Sequence, residues 1–236
     1  MKTLAIDTST YTLGAAVLDG EQTIGEYITN LKKNHSLRAM PAIDLLLKEC
    51  ELKPADLDKI VVAKGPGSYT GVRIGVTIAK TLAWSLGIPL SGISSLAALA
   101  ASAKLYPSYI SPLFDARRGR VYTGLYRFEN GQLITVKNDQ NLLLADWCQE
   151  LKAIKEPVLF AGKDVTLHEA AIKQIMGEQA VIGDRSMYDS RPSELGRLGM
   201  NAPAEDVHAF VPNYIRLAEA EAKWLEAQEG QDQHNG

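Results

Sequence analysis

The stretch from Lys59 to Gly87 constrains the fold more than any other. Lys59 to Lys64, containing Ile60-Val61-Val62-Ala63, is the short continuous apolar run of a strand buried on both faces. It ends in Gly65-Pro66-Gly67-Ser68-Tyr69-Thr70-Gly71, and a long helix runs on to Gly87, a natural stop. A buried strand that turns sharply into a helix is half of a crossover unit, so it demands a parallel neighbour and a sheet covered by helices.

The flanking sequence supplies the rest of that sheet. Leu4-Ala5-Ile6 is a short strand, Thr12 to Asp19 a second that turns at Asp19-Gly20, and Thr23 to Thr29 a third. Leu37, Met40, Ile43, Leu46, Leu47 and Cys50 recur at helical spacing, with Pro41 near enough the start to bend that helix rather than forbid it. Leu90 to Ser94 is a further strand, and Ser94 or Ser95 caps an alanine-rich helix from Leu96 to Lys104. Near Tyr106-Pro107-Ser108 the pattern restarts. Strands are expected at Tyr109 to Phe114, Val121 to Phe128 and Leu133 to Val136, the last two joined through Asn130-Gly131. A helix around Ala145 to Ile154, a strand at Val158 to Ala161, a helix around Leu167 to Met176 and a strand at Ala180 to Ile182 follow. The second half echoes the first in element order, without a residue-level repeat. The expectation is an α/β protein of two related lobes, residues 1–105 and 106–236, with a polar last dozen residues that fray.

At 236 residues and 46% hydrophobic, the chain has the material for a sizeable core. A net charge of −3 argues against gripping nucleic acid by overall charge. The first apolar run is stopped at Asp7, too soon for a signal peptide, and no run approaches the roughly eighteen apolar residues of a membrane span. Cys50 and Cys148 lie far apart in no metal-type spacing, which suits reduced thiols; a cytoplasmic location is expected.

Four segments are candidates for function. Amides of the glycine loop, around Gly65, Gly67 and Ser68, point along a helix start where an anion is favourably held, although a tight strand-to-helix connection explains the same residues. Neither a Walker loop nor a G-x-G-x-x-G spacing is present. Asp7-Thr8-Ser9-Thr10 places a carboxylate and three hydroxyls where nucleotide-binding sheets often receive phosphate or Mg²⁺, and a hydroxyl-stabilised turn is the plainer alternative. Gly71, Gly75, Ala79 and Ala83 recur at every fourth position, a stripe that lets another backbone come close, either within the chain or from another subunit. Val72, Val76, Ile78 and Leu82 add apolar surface beside it. Arg117, Arg118 and Arg120 crowd a strand-to-strand turn suited to a phosphate, a partner's carboxylates or plain solvation. His35, His168, His208 and His234 are isolated, no G-x-S-x-G elbow occurs, and no metal site is expected.

Taken together, Leu4-Ala5-Ile6-Asp7-Thr8-Ser9, His35-Ser36 leading into Pro41, Gly65 to Gly75, Asp115-Ala116-Arg117-Arg118 with Tyr122, and Pro212-Asn213-Tyr214-Ile215-Arg216 resemble the TsaB (YeaZ) family over nearly the whole chain. The resemblance implies an actin-like ATPase (ASKHA, ribonuclease H-like) fold. It also implies a part in forming N6-threonylcarbamoyladenosine at position 37 of tRNAs reading codons that begin with A. There the paralogue TsaD transfers the group, supported by TsaB and the ATPase TsaE, and tRNA is bound mainly through the complex. TsaD carries an H-x-x-x-H metal motif that would fall near Ser95 and Leu99 by element order, and leucine cannot ligate a metal. Thr8 stands after Asp7 where kinase-like relatives often have glycine, so a chain that binds no cofactor by itself is implied, with ATP or ADP held only at a complex interface. The rival readings are a peptidase acting on its paralogue and a small-molecule kinase of the same fold. Dimerisation, with TsaD or with itself, is implied through the first two helices, and gives the candidate interface Leu37, Met40, Gly71, Val72, Gly75, Val76, Ala79 and Leu82. On that reading Gly75→Leu weakens the heterodimer and leaves the monomer folded.

Overall fold

The computed structural model describes residues 1–215; Arg216 and the polar tail lie outside the described residues. The first sheet has the order β3-β2-β1-β4-β5, with β1 (Lys2–Asp7), β2 (Leu13–Asp19), β3 (Gln22–Thr29), β4 (Lys59–Ala63) and β5 (Leu90–Ile93). The second has the order β10-β9-β6-β7-β8, with β6 (Tyr109–Asp115), β7 (Arg120–Glu129), β8 (Gln132–Leu143), β9 (Val158–Ala161) and β10 (Ala180–Ile182). In each, an antiparallel meander of three strands is extended by two parallel ones, so the echo in element order becomes an identity of topology.

Period-two alternation sorts each strand's side chains onto two covered faces. Leu4, Ile6, Val17, Ile60 and Val62 face α1 (His35–Glu49) and α2 (Tyr69–Leu86), while Ala5, Ala16, Leu18, Val61 and Ala63 face the opposite way. Helices α4 (Leu144–Lys152) and α5 (Val165–Met176) cover the outer face of the second sheet around Trp147 and Phe160. Between the sheets lies α3 (Ser95–Ala101), whose Leu96, Leu99 and Ala100 pack on β6, β7 and β9 and whose Ala98 packs toward the first sheet. The helix ends follow local chemistry: Asn34, Ser68 and Ser94 accept backbone amides at the starts of α1, α2 and α3, and Gly87 closes α2 at φ 66°.

Two elements depart from the sequence reading. β8 runs to Leu143 rather than stopping at Val136, because pairing with β7 carries the polar run Lys137 to Asn141 in strand form. The second departure is α6 (Pro192–Met200), which the sequence does not announce, and which packs on β1, β2 and β4 although residues after 105 are expected in the second lobe. Its glycines explain both facts. A Cβ on Gly196 would lie 2.4 Å from Leu18 Cδ1 and one on Gly199 2.2 Å from Val61 Cγ1, so the residues that weaken the helical pattern are those that let the helix seat.

Polar clamps hold α6 at both ends. Buried Lys59 donates to the carbonyls of Met200, at 3.0 Å, and Ala202, at 2.7 Å. At the start, Glu26 Oε1 accepts from Ser193 N, at 2.9 Å, and Ser193 Oγ, at 2.7 Å, and Oε2 pairs with the Arg191 guanidinium. Burial pushes the Glu26 carboxyl up, but Ser193 and Arg191 together hold it below the usual glutamate range. A depressed folded-state pKa gives stability that is present above the ordinary value, about 4.3, and lost as pH falls through the folded value. Glu26→Gln is therefore expected to lower unfolding stability by about 2 kcal/mol near pH 7, the gap closing below about pH 4, as read by urea denaturation across pH.

Candidate functional site

Because β1 and β4 are parallel neighbours, Asp7-Thr8-Ser9 and the glycine loop leave the sheet at one edge, where open α/β sheets usually hold ligands. The two segments are locked together. Ser68 N donates to Ser9 O at 2.7 Å, Thr8 Oγ1 donates to Gly71 O at 2.7 Å, and Gly65 N donates to Ser95 Oγ at 3.1 Å. Asp7 Oδ1 accepts from Ser9 N, at 2.9 Å, and Ser9 Oγ, at 2.7 Å, while Oδ2 accepts from the Ser190 hydroxyl. Gly71 N donates to Ser68 Oγ at 3.3 Å. The structure brings these residues together, and several of their groups bond one another: the Gly65, Ser68 and Gly71 amides are engaged and Asp7 is 4% exposed.

The small-residue stripe faces inward. A Cβ on Gly67 would lie 2.3 Å from Ser9 O, one on Gly71 2.2 Å from Thr8 O, and one on Gly75 2.5 Å from Thr8 Oγ1. Ala79 and Ala83 are buried against the sheet. Gly71, Val72, Gly75, Val76 and Ala79, expected at a partner interface, are buried inside the protomer, and close approach serves β1 and its following turn instead of a second subunit. Leu82 is half-buried in the same cluster. Leu37 and Met40 do project into solvent, 75% and 43% exposed, and Leu45 at 50% and Trp84 at 66%, which the sequence reading passes over, are exposed on the same two helices. Leu45 was hidden by its neighbours, since Leu45-Leu46-Leu47 reads as uniformly buried until the helix phase is fixed.

The arginine turn splits in role. Arg117, Arg118 and Gly119 are successively left-handed, at φ 65°, 54° and 72°, and put the first two side chains at the exposed surface. Arg120 is a staple instead, donating through Nε to Asn141 Oδ1 and through Nη2 to Asn141 O, both at 2.6 Å. Beside the turn, His168 Nε2 and Asp115 Oδ1 are 2.9 Å apart. Ser95 and Leu99, at the positions matched to metal-binding histidines by element order, are 0% and 1% exposed, the first holding Gly65 and the second in the apolar core.

Two sheets of one topology, with helices outside and between them and paired loops at the carboxyl ends of their central strands, define an actin-like ATPase fold. ROK hexokinase from Thermus thermophilus shares that fold at a TM-score of 0.50 and 9% identity, over 85% of this chain and 99% of its own. YeaZ from Pseudomonas aeruginosa superposes at a TM-score of 0.75 and 25% identity, over 90% of this chain and 99% of its own. The family model TsaD: tRNA N6-adenosine threonylcarbamoyltransferase matches residues 22–224. The tRNA threonylcarbamoyladenosine biosynthesis protein TsaB of Bacillus subtilis is 60% identical over 97% of this chain and 100% of its own length. This chain belongs to the TsaB family.

The packing of the stripe reverses the expected behaviour of Gly75→Leu. With Thr8 already within contact of Gly75, the variant is expected to lose about 3 kcal/mol or more of stability, or to fail to fold, in chemical denaturation of the isolated chain.

Proposed function

We propose that this chain is the non-catalytic partner subunit in N6-threonylcarbamoyladenosine formation at position 37 of tRNAs reading codons that begin with A. It dimerises with the transferase TsaD, supports it together with TsaE in the cytoplasm, and meets tRNA mainly through the complex, with Arg117 and Arg118 as secondary contacts. Names and family come from the relatives; the non-catalytic role is our inference from the chain itself. The observation that carries it is the chemistry of the positions matched to the metal motif. The Ser95 hydroxyl accepts from the Gly65 amide and Leu99 fills the core, so neither supplies a ligand to a metal ion. Among the described residues, no group of three histidine, cysteine or acidic side chains is placed to hold one.

The same reading moves the partner surface outward. The exposed apolar side chains of Leu37, Met40, Leu45 and Trp84 on α1 and α2 replace the buried stripe as the docking face, and self-association competes for it. With its phosphate-facing groups internally bonded, the glycine loop is a packing joint, and ATP or ADP is held at a shared interface with a partner rather than by this chain alone. Among the described residues, no helix is long and apolar enough to cross a membrane.

Transfer from threonylcarbamoyl-adenylate to tRNA by TsaD and TsaE, with and without this chain, tests the reading. Product is expected only when it joins them; modification by this chain alone, or equal product without it, overturns the proposal. The double variant Leu37→Glu with Met40→Glu is expected to weaken TsaD binding at least ~30-fold by calorimetry, about 2 kcal/mol, with an unchanged circular dichroism spectrum.

A further inference from the structure

The most elaborate polar device outside the glycine loop joins the second sheet to α3. In the β7–β8 pairing, Thr123 opposes Gln140 while Leu125 opposes Lys137, so Asn138 and Asp139 bulge against the single residue Gly124. Bulges re-aim side chains. Here the bulge turns Asp139 inward, and Gly124 makes room for it, since a Cβ there would lie 2.9 Å from Asp139 Oδ1. The Asp139 carboxylate accepts two hydroxyl protons, from Ser94 on one oxygen and from fully buried Tyr126 on the other. With its single proton directed there, Ser94 Oγ turns its lone pairs to Leu96 N and Ala97 N, both at 3.1 Å, and starts α3. The next residue, Ser95, exchanges two bonds with Gly65: its amide donates to Gly65 O at 3.0 Å and its hydroxyl accepts from Gly65 N at 3.1 Å.

We propose that Asp139 is a positioning residue whose carboxylate, through Ser94 and Ser95, holds the glycine loop in register with the second sheet, so that α2 and the C-terminal half move as one body. Tyr126 is the titratable group that faces it from β7, Ser94 is its partner on α3, and among the described residues no lysine, arginine or histidine pairs with it. A half-buried carboxylate met only by neutral donors is a burden on stability: burial pushes Asp139 up from the aspartate range, outweighing Ser94 and Tyr126, and burial with the Asp139 charge pushes the Tyr126 phenol up in turn. A carboxyl with a raised folded-state pKa contributes stability that is full below the ordinary value, near 3.9, and lost as pH rises through the folded value.

Hydrogen exchange followed by mass spectrometry on the full chain tests the coupling. Asp139→Ala is expected to speed exchange at residues 65–71 about tenfold together with the first turn of α3, and Asp139→Asn, which keeps one acceptor oxygen, to do so less. Ser94→Ala removes the same bond together with the α3 cap and is expected to speed exchange in α3 at least as much as Asp139→Ala; if Asp139→Ala does not fold, Asp139→Asn decides the matter by whether residues 65–71 follow α3. Faster exchange in α3 alone, with the loop unchanged, overturns the proposal. In thermal melts, Asp139→Asn is expected to exceed wild type at about pH 8 and to converge with it near pH 4. A lower melting temperature for Asp139→Asn throughout would make the charge a stabilising feature and overturn the positioning role.

Discussion

The depth at which α2 sits on the first sheet decides most of what surrounds it. Gly71 and Gly75 bring the helix backbone against Thr8, and Thr8 Oγ1 closes the contact by donating to Gly71 O at 2.7 Å. With any larger residue the helix would lift, and the contacts of Val72, Val76, Ala79 and Ala83 with the sheet would open along its length. The same contact engages Ser9 O with Ser68 N and joins the turn after β1 to the start of α2.

A second constraint ties the halves of the chain. α3 serves both sheets, and α6 carries residues 192–200 back onto the first sheet, clamped by Glu26 at its start and Lys59 at its end. Phe210 then enters the cluster beneath α1 and α2. The two sheets are therefore joined by apolar packing through α3 and by the polar clamps of α6. The exposed apolar residues of α1 and α2 sit on the far side of that sheet from the junction, so the surface and the scaffold are separately specified.

Strand and helix order was legible because most elements satisfy a local rule as well as a global one. Ile60-Val61-Val62-Ala63 is a buried strand by composition, Gly87 and Ser94 mark helix ends, and Asp19-Gly20 and Asn130-Gly131 mark turns. The misses occur where tertiary contact overrides local preference. Lys137 to Asn141 has poor strand propensity and becomes strand by pairing with β7; Gly196 and Gly199 weaken a helix that exists because Leu18 and Val61 need that space. Of the site, the residues that meet were identified but not the direction they face. The residues alone favoured an inward contact for Gly75 and the family resemblance pointed outward, since spacing of four defines a stripe without saying what lies on it.

The sequence by itself determined the element order, the doubled mixed-sheet architecture, the membership of the TsaB family and the absence of histidines at Ser95 and Leu99, because each is written in residue identity or in periodicity. Only the tertiary structure decided that the glycine stripe faces Thr8, that Ser190 reaches Asp7 from 183 residues away, that α6 belongs to the first sheet's cover, and that Asp139 turns inward to Ser94. Those outcomes depend on helix phase, on a one-residue bulge and on contacts between segments distant in the chain. A linear pattern fixes which faces are apolar, whereas what each face meets is settled when all of them are packed at once.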